Sequence, residues 1–209
     1  MTAVATQQTV LVVDDDPAAR DSVVALIQSR GLTAQTFSSA EDFLKRFDRA
    51  ARGCVLVDVR MSGKNGVELL EQLTTEKFRL PVIIITGYGN VPIAVRAMRA
   101  GAFSFLEKGG TEQELWTTVQ EALSWETRSR EKEILRQQVR ERLQDLTADE
   151  GKVLERLVSG MANKTIATDL DIGLRTVELR RATILKKMQA RSLAELVRFV
   201  LIAEDDPVE

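Results

Sequence analysis

Four apolar runs in this chain close on residues suited to handling ions. TVLVVDDD ends in Asp14, Asp15 and Asp16, GCVLVDV carries Asp58, LPVIIITG ends in Thr86 and Gly87, and AFSFLEK ends in Lys108. A run of aspartates alone reads as a solvated loop. Asp58 is different, because a carboxylate closing a wholly apolar run has no structural reason to be there. Brought together, Asp14, Asp15 and Asp58 would repel, which raises carboxyl pKa values unless a cation shares the site. Oxygen donors with no histidine or cysteine beside them favour a hard cation, Mg2+, with water completing an octahedron. A hydroxyl and a close-approaching amide at Thr86 and Gly87 suit an oxyanion, and Lys108 adds a fixed positive charge. One hard cation, one ammonium and one hydroxyl around Asp58 form an electrostatic clamp for phosphoryl transfer onto that carboxylate.

Such a clamp needs elements that bring the four run ends together. Each apolar run is followed by a helical pattern: Pro17 to Arg30 with Val23, Val24, Leu26 and Ile27, then Ala40 to Phe47, NGVELLEQLTT, VPIAVRAMRAG and EQELWTTVQEALSW. With TAQTF as a further short strand, five strand–helix alternations predict a parallel sheet covered on both faces. Ligands of such sheets bind beyond the carboxyl ends of the strands, where all four run ends lie. The first and third strands are expected side by side, which sets Asp14 and Asp15 next to Asp58.

At 209 residues the chain fits two small domains better than one large one. No apolar window approaches a membrane span. The N-terminus, MTAVATQQ, lacks the basic flank and apolar core of a signal peptide, so the expected compartment is the cytoplasm. The single cysteine, Cys54, sits within an apolar run and reads as a small buried hydrophobe. The chain has no histidine, which excludes imidazole catalysis, His–Cys zinc sites and a phosphohistidine of its own. Its net charge of -2 gives no global field for nucleic acid, so any such role needs a local basic patch.

Residues 126–145, ETRSREKEILRQQVRERLQD, carry nearly balanced charge and no Gly or Pro. Leu135, Val139, Leu143 and Leu146 form one narrow apolar stripe, which suits either a solvated linker helix or a dimer-forming one. Beyond it, residues 147–203 show four short helical patterns broken at Gly160, Asp171–Gly173 and Ala190–Arg191. NKTIATDLDIGLRTVELRRATILKKM reads as helix, tight turn, helix. On the second of these, Val177, Ile184 and Met188 share a face turned towards Ile166, Ala167 and Leu170. The opposite face carries Arg175, Glu178, Leu179, Ala182, Thr183 and Lys186, with Arg180 and Lys187 along one edge. Five Lys/Arg and one Glu between Arg175 and Lys187 form the local patch that the net charge conceals. Such a helix can enter the major groove, with edge cations on phosphates and the outer face on base edges. Glu178 suits a cytosine amine, and Leu179 or Ala182 a thymine methyl.

VVDDDP, VDVRM, ITGYG and AFSFLEK together resemble the receiver domain of two-component response regulators, and the stretch from ITGYG to LEK is most similar to the FixJ group. The resemblance implies a flavodoxin-like, doubly wound sheet with Asp58 as phospho-acceptor and a separate sensor histidine kinase as donor. It implies Mg2+ bound by Asp15, Asp58 and the Arg60 backbone carbonyl, with Asp14 acting through a coordinated water. Thr86 and Lys108 would hold the phosphoryl oxygens, and Phe105 would follow Thr86 inward as the switch aromatic. LTADEGKVLERLVSGMANKTIATDL and RTVELRRATILKKMQARSLAELVRFVL look like the LuxR/FixJ effector domain. That implies double-stranded DNA as a partner, usually read by a dimer on a palindrome, with RNA polymerase as a further contact. Lys164 and Thr176 fall at positions that usually touch the backbone, and Arg181 lies in the same basic run.

The expected architecture is thus a receiver over residues 9–123, a helical linker over 124–145 and a helix-turn-helix domain over 146–204. Three departures stand out: Arg180 where the family usually has histidine, Ser62 where it has proline, and Gly109 where it has a cis-proline. A non-proline cis bond costs about 2.5–4 kcal/mol, so Lys108–Gly109 is expected to be trans or the loop looser. The leading expectation is a transcription factor switched by phosphorylation, with Mg-dependent phosphoryl acceptance and slow self-dephosphorylation as its only chemistry. The alternative is a phosphorylation-independent receiver that serves for dimerisation. An aspartyl-phosphate phosphohydrolase is disfavoured, because DDDPAA lacks the DxDxT pattern and no cap insertion is present.

Overall fold

The computed structural model describes residues 8–87 and 91–204. The N-terminal segment and the Tyr88–Gly89 pair of ITGYG lie outside them. The chain divides after Ser129 into two compact units.

In the first unit the strands are β1 (Thr9–Val13), β2 (Thr33–Phe37), β3 (Gly53–Asp58), β4 (Val82–Thr86) and β5 (Ser104–Glu107). They form one parallel sheet in the order β2-β1-β3-β4-β5. The helices are α1 (Pro17–Ser29), α2 (Ala40–Arg46), α3 (Gly66–Thr75), α4 (Val91–Arg99) and the start of α5 (Glu112–Gln144). Every residue of β3 and β4 is buried, as continuous apolar runs covered on both faces require. The pleat sorts them. Leu11, Val13, Val55, Val57 and Ile84 meet α2, α3 and α4, whereas Val10, Val12, Cys54, Leu56 and Ile85 meet α1 and α5. Burial pushes the Cys54 thiol up to about 12, so the cysteine is an inert part of the core, as its apolar setting suggested.

Local signals fix the helix starts that border the strand ends. Asp16 caps α1 by accepting from the Ala18 amide, with Pro17 in the first turn. Asn65 and Glu68 close a capping box at α3. Gly66 lets that helix start against the site, since a Cβ there would come within 2.1 Å of the Asp58 carbonyl oxygen.

The second unit contains the end of α5 with α6 (Ala148–Val158), α7 (Asn163–Asp169), α8 (Leu174–Lys187) and α9 (Leu193–Glu204). The breaks fall where expected, and Gly160, Asp171 and Gln189 take positive φ. Val153, Leu157, Ile166, Val177, Ile184, Met188 and Leu196 build its core.

Residues 112–144 differ from expectation. The final receiver helix and the linker are one continuous α5 of 33 residues. Its apolar stripe packs within the second unit: Val139 is fully buried there, with Leu135, Leu143 and Leu146 partly buried around it. Arg136, which reads as a solvated charge, is buried, donates to the Ile202 carbonyl and pairs with Glu133. Arg140 donates to the Ala203 carbonyl, so both arginines satisfy the end of α9, where a cation also suits the helix dipole. Among the described residues no helix is long and apolar enough to cross a membrane.

Candidate functional site

The strand order places the ends of β1 and β3 together, with Val13 opposite Val57. Asp14 and Asp15 leave β1 one step later, and Asp58 ends β3. Asp14, Asp15 and Asp58 each present a carboxylate oxygen within 4.8 Å of the others. Asp14 and Asp58 are buried, and Asp15 is the most exposed of the three.

The surrounding backbone aims each carboxylate. Asp14 accepts from the Asp16 amide at 2.9 Å, and its own carbonyl accepts from Arg20 at 2.6 Å. Asp58 Oδ2 accepts from the Arg60 amide at 3.0 Å, so the chain curls around that oxygen. Asp15 Oδ2 accepts from the Ser62 amide at 2.8 Å. A proline at residue 62 would have no N–H to give, so here Ser62 supplies a charge-assisted bond to Asp15.

Lys108 reaches this cluster from the end of β5. Its Nζ lies 2.7 Å from Asp14 Oδ2 and 2.9 Å from Asp58 Oδ1. The contact to Asp58 is an ion pair without hydrogen-bond alignment, which leaves Oδ1 buried with no aligned donor. Burial raises the Asp58 pKa, an effect that Lys108 only partly offsets and Asp14 reinforces. At Lys108 burial pulls the other way, but the hydrogen bond to Asp14 and the ion pair with Asp58 outweigh it, and the ammonium is held more firmly protonated. Two buried carboxylates sharing one cation, one oxygen lacking a donor and no nitrogen or sulfur ligand fit a small divalent ion such as Mg2+.

Thr86 is wholly buried at the end of β4, and its carbonyl accepts from the Lys108 amide at 2.6 Å. Thr86 and Phe105 lie on the same face of neighbouring strands, since Phe105 pairs with Ile84 two residues earlier. Phe105 is half-buried against the core beneath α3 and α4. No described peptide bond is cis, and Gly109 takes a φ of +108°, which disfavours any side chain at that position.

The second candidate surface is α8. Val177, Ile184 and Met188 are fully buried. Lys164, Arg175, Glu178, Leu179, Ala182, Thr183 and Lys186 are exposed, and Thr176 and Arg181 are partly so. Leu179 is 63% exposed, which the core does not explain. The edge cations, expected to meet phosphates, are engaged within the structure. Arg180 pairs with Asp149 at 2.6 Å, and Lys187 pairs with Glu150 at 2.7 Å while donating to the Asp145 carbonyl. Arg181 donates to Asn163 at 3.4 Å. Asp149 and Glu150 gave no sequence signal of this role, because a helix N-terminus accounts for both.

Comparison with known proteins bears on both surfaces. Residues 10–120 match the response regulator receiver domain, and residues 144–200 match the luxR family of bacterial regulatory proteins. The transcriptional regulatory protein FixJ of Azorhizobium caulinodans is 44% identical over 95% of this chain and 94% of its own length. The chain belongs to the FixJ-type response regulators. FixJ of Bradyrhizobium diazoefficiens is 40% identical over 93% of this chain and 95% of that protein. Among solved structures, response regulator StyR is similar with a TM-score of 0.81 and 38% identity, covering 93% of this chain and 98% of that one. Full-length FixJ from B. japonicum gives 0.60 at 38% identity over 97% and 100%. As a member of this family the protein is a two-component regulator of transcription under phosphorylation control, and not an enzyme. A receiver domain implies a sensor kinase partner, and the luxR-type domain implies DNA binding.

Proposed function

We propose that Asp58 is the phosphoryl acceptor and that α8 is the helix that reads DNA. The buried Asp58 Oδ1, with no aligned donor and flanked by Asp14, Asp15 and Lys108, is the observation that carries the first assignment. In the transfer, this oxygen forms the P–O bond as the N–P bond to the kinase's phosphohistidine breaks, and the electron pair leaves with the imidazole. Asp15, Asp58 and the Arg60 carbonyl would hold Mg2+, with Asp14 acting through a coordinated water. When bound, the ion screens the negative charge that gathers on the phosphoryl oxygens. Lys108 exchanges its contact with Asp58 Oδ1 for a phosphoryl oxygen, and the Thr86 hydroxyl takes another. Drawing Thr86 towards the phosphoryl frees space on the face it shares with Phe105, which turns inward and repacks the surface beside α4.

The repacked surface favours a homodimer, whose two α8 helices suit a palindromic site. Arg175, Glu178, Leu179, Ala182, Thr183 and Lys186 face base edges, and Lys164, Thr176, Arg180, Arg181 and Lys187 position the phosphates. RNA polymerase is the further partner in this reading, which places the protein in the cytoplasm. Labelling the full chain with acetyl phosphate and Mg2+ tests the acceptor. Asp58→Asn is expected to abolish labelling, and a label retained at another residue would overturn the assignment.

A further inference from the structure

We infer that Asp149 is a built-in competitor for Arg180 and so sets how tightly α8 grips the DNA backbone. The inference rests on the reading of α8 as the DNA-facing helix. Arg180 Nη2 lies 2.6 Å from Asp149 Oδ2, with side chains 26% and 54% exposed. Asp149 stands in the first turn of α6, two residues after the Thr147 cap, where the helix dipole favours a carboxylate. The capping box fixes its backbone: the Glu150 amide donates to Thr147 Oγ1 at 3.3 Å, and the Thr147 amide donates to Glu150 Oε2 at 2.7 Å.

The neighbouring pair has a different character. Glu150 is buried and closes that capping box as well as holding Lys187, so this pair braces α6 against α8. Asp149 has no such second duty. Among the described residues its remaining cationic neighbour is Lys152, at 3.9 Å and itself exposed. An exposed pair of this kind exchanges easily with solvent or another anion.

A phosphate approaching Arg180 therefore meets a guanidinium already neutralised, with a carboxylate beside it that repels the backbone. Of the five cations on α8, Arg175 and Lys186 are exposed with no ion pair among the described residues. Arg180 becomes available only when Asp149 yields. A cation that must first give up a carboxylate adds less than a full unit to the salt dependence of binding, which is about 0.9 per neutralised phosphate.

The test uses the full chain and a mixed-sequence duplex several helical turns long, titrated across a range of salt. Asparagine in place of Asp149 keeps the acceptor that orients Arg180 and removes the charge. Asp149→Asn is expected to bind about two- to fivefold tighter at low salt. Its log K against log salt slope should steepen by up to about 0.9. In an Arg180→Gln background the same change should have little effect. Unchanged affinity and slope, weaker binding, or an equal gain without Arg180 would each overturn the proposal. Arg175→Gln and Lys186→Gln separate it from the underlying reading. If both leave DNA affinity intact, α8 is not the DNA face. If they weaken binding while Asp149→Asn does nothing, only the competitor role falls.

Discussion

Lys108 stands between two buried carboxylates, and its charge has to be given up or shared when a second cation arrives. Replacing it by methionine removes a fixed positive charge a few ångströms from the carboxylates proposed to hold Mg2+. At an effective dielectric near 20, such a charge disfavours a divalent ion by several kcal/mol before screening. Lys108→Met is therefore expected to bind Mg2+ about tenfold more tightly or better in calorimetry, while acetyl-phosphate labelling slows. Unaltered Mg2+ affinity would mean that the lysine does not share the cation's site. The place of Lys108 beside the aspartates was legible in the sequence, because the apolar run that carries it ends at the same edge of the sheet as theirs. The Ser62 amide on Asp15 was not, because backbone donors leave no trace in residue identity. In the second unit, bonding to Lys187 and to the Thr147 amide holds the Glu150 carboxyl below its ordinary value of 4.5. A depressed folded-state value contributes stability that is complete above the unfolded pKa and is lost as pH falls through the folded one. Melting curves of the parent and Lys187→Met should thus differ near neutral pH and converge in acid. A gap that persists unchanged below the ordinary carboxyl range would count against this linkage.

Helices and strands of the first unit were legible because each is bounded by a local signal. Apolar runs of β3 and β4 end in the site residues, and Asp16, Asn65 and the positive-φ glycines punctuate the rest. α5 shows where such reading stops. Periodicity found the stripe Leu135, Val139, Leu143, but a stripe does not name its partner, and here the partners are α6 to α9. Charge masked Arg136 in the same way, since a guanidinium is buried only because α9 ends beside it. Long-range pairs such as Arg52–Glu126 and Arg180–Asp149 carry no local pattern at all. The stripe's role is open to a direct check. Val139→Ala removes two buried carbons and is expected to cost roughly 2 kcal/mol in the unfolding of the second unit. The oligomeric state should stay the same. A shift towards monomer with unaltered stability would instead mark the stripe as a dimer seam.

At the scale of the whole chain, one event at the strand ends has to be felt by a DNA-binding unit that has its own core. A phosphoryl group biases the receiver only through interactions that differ between its two states, in the proposed reading those of Lys108, Thr86 and Phe105. Gly109 follows that lysine on a positive-φ backbone, where an added Cβ would meet nothing within 4 Å, so the chain directly after Lys108 is held by no side-chain packing at that position. The decisive measurement is the affinity of the full chain for a duplex selected from random sequence, with and without beryllofluoride and Mg2+, beside Asp58→Asn. Beryllofluoride should tighten binding by the parent and shift it towards two protomers per site, while Asp58→Asn should not respond. Equal affinity in both states of the parent would contradict phosphorylation control through Asp58 and leave the receiver as a dimerisation module.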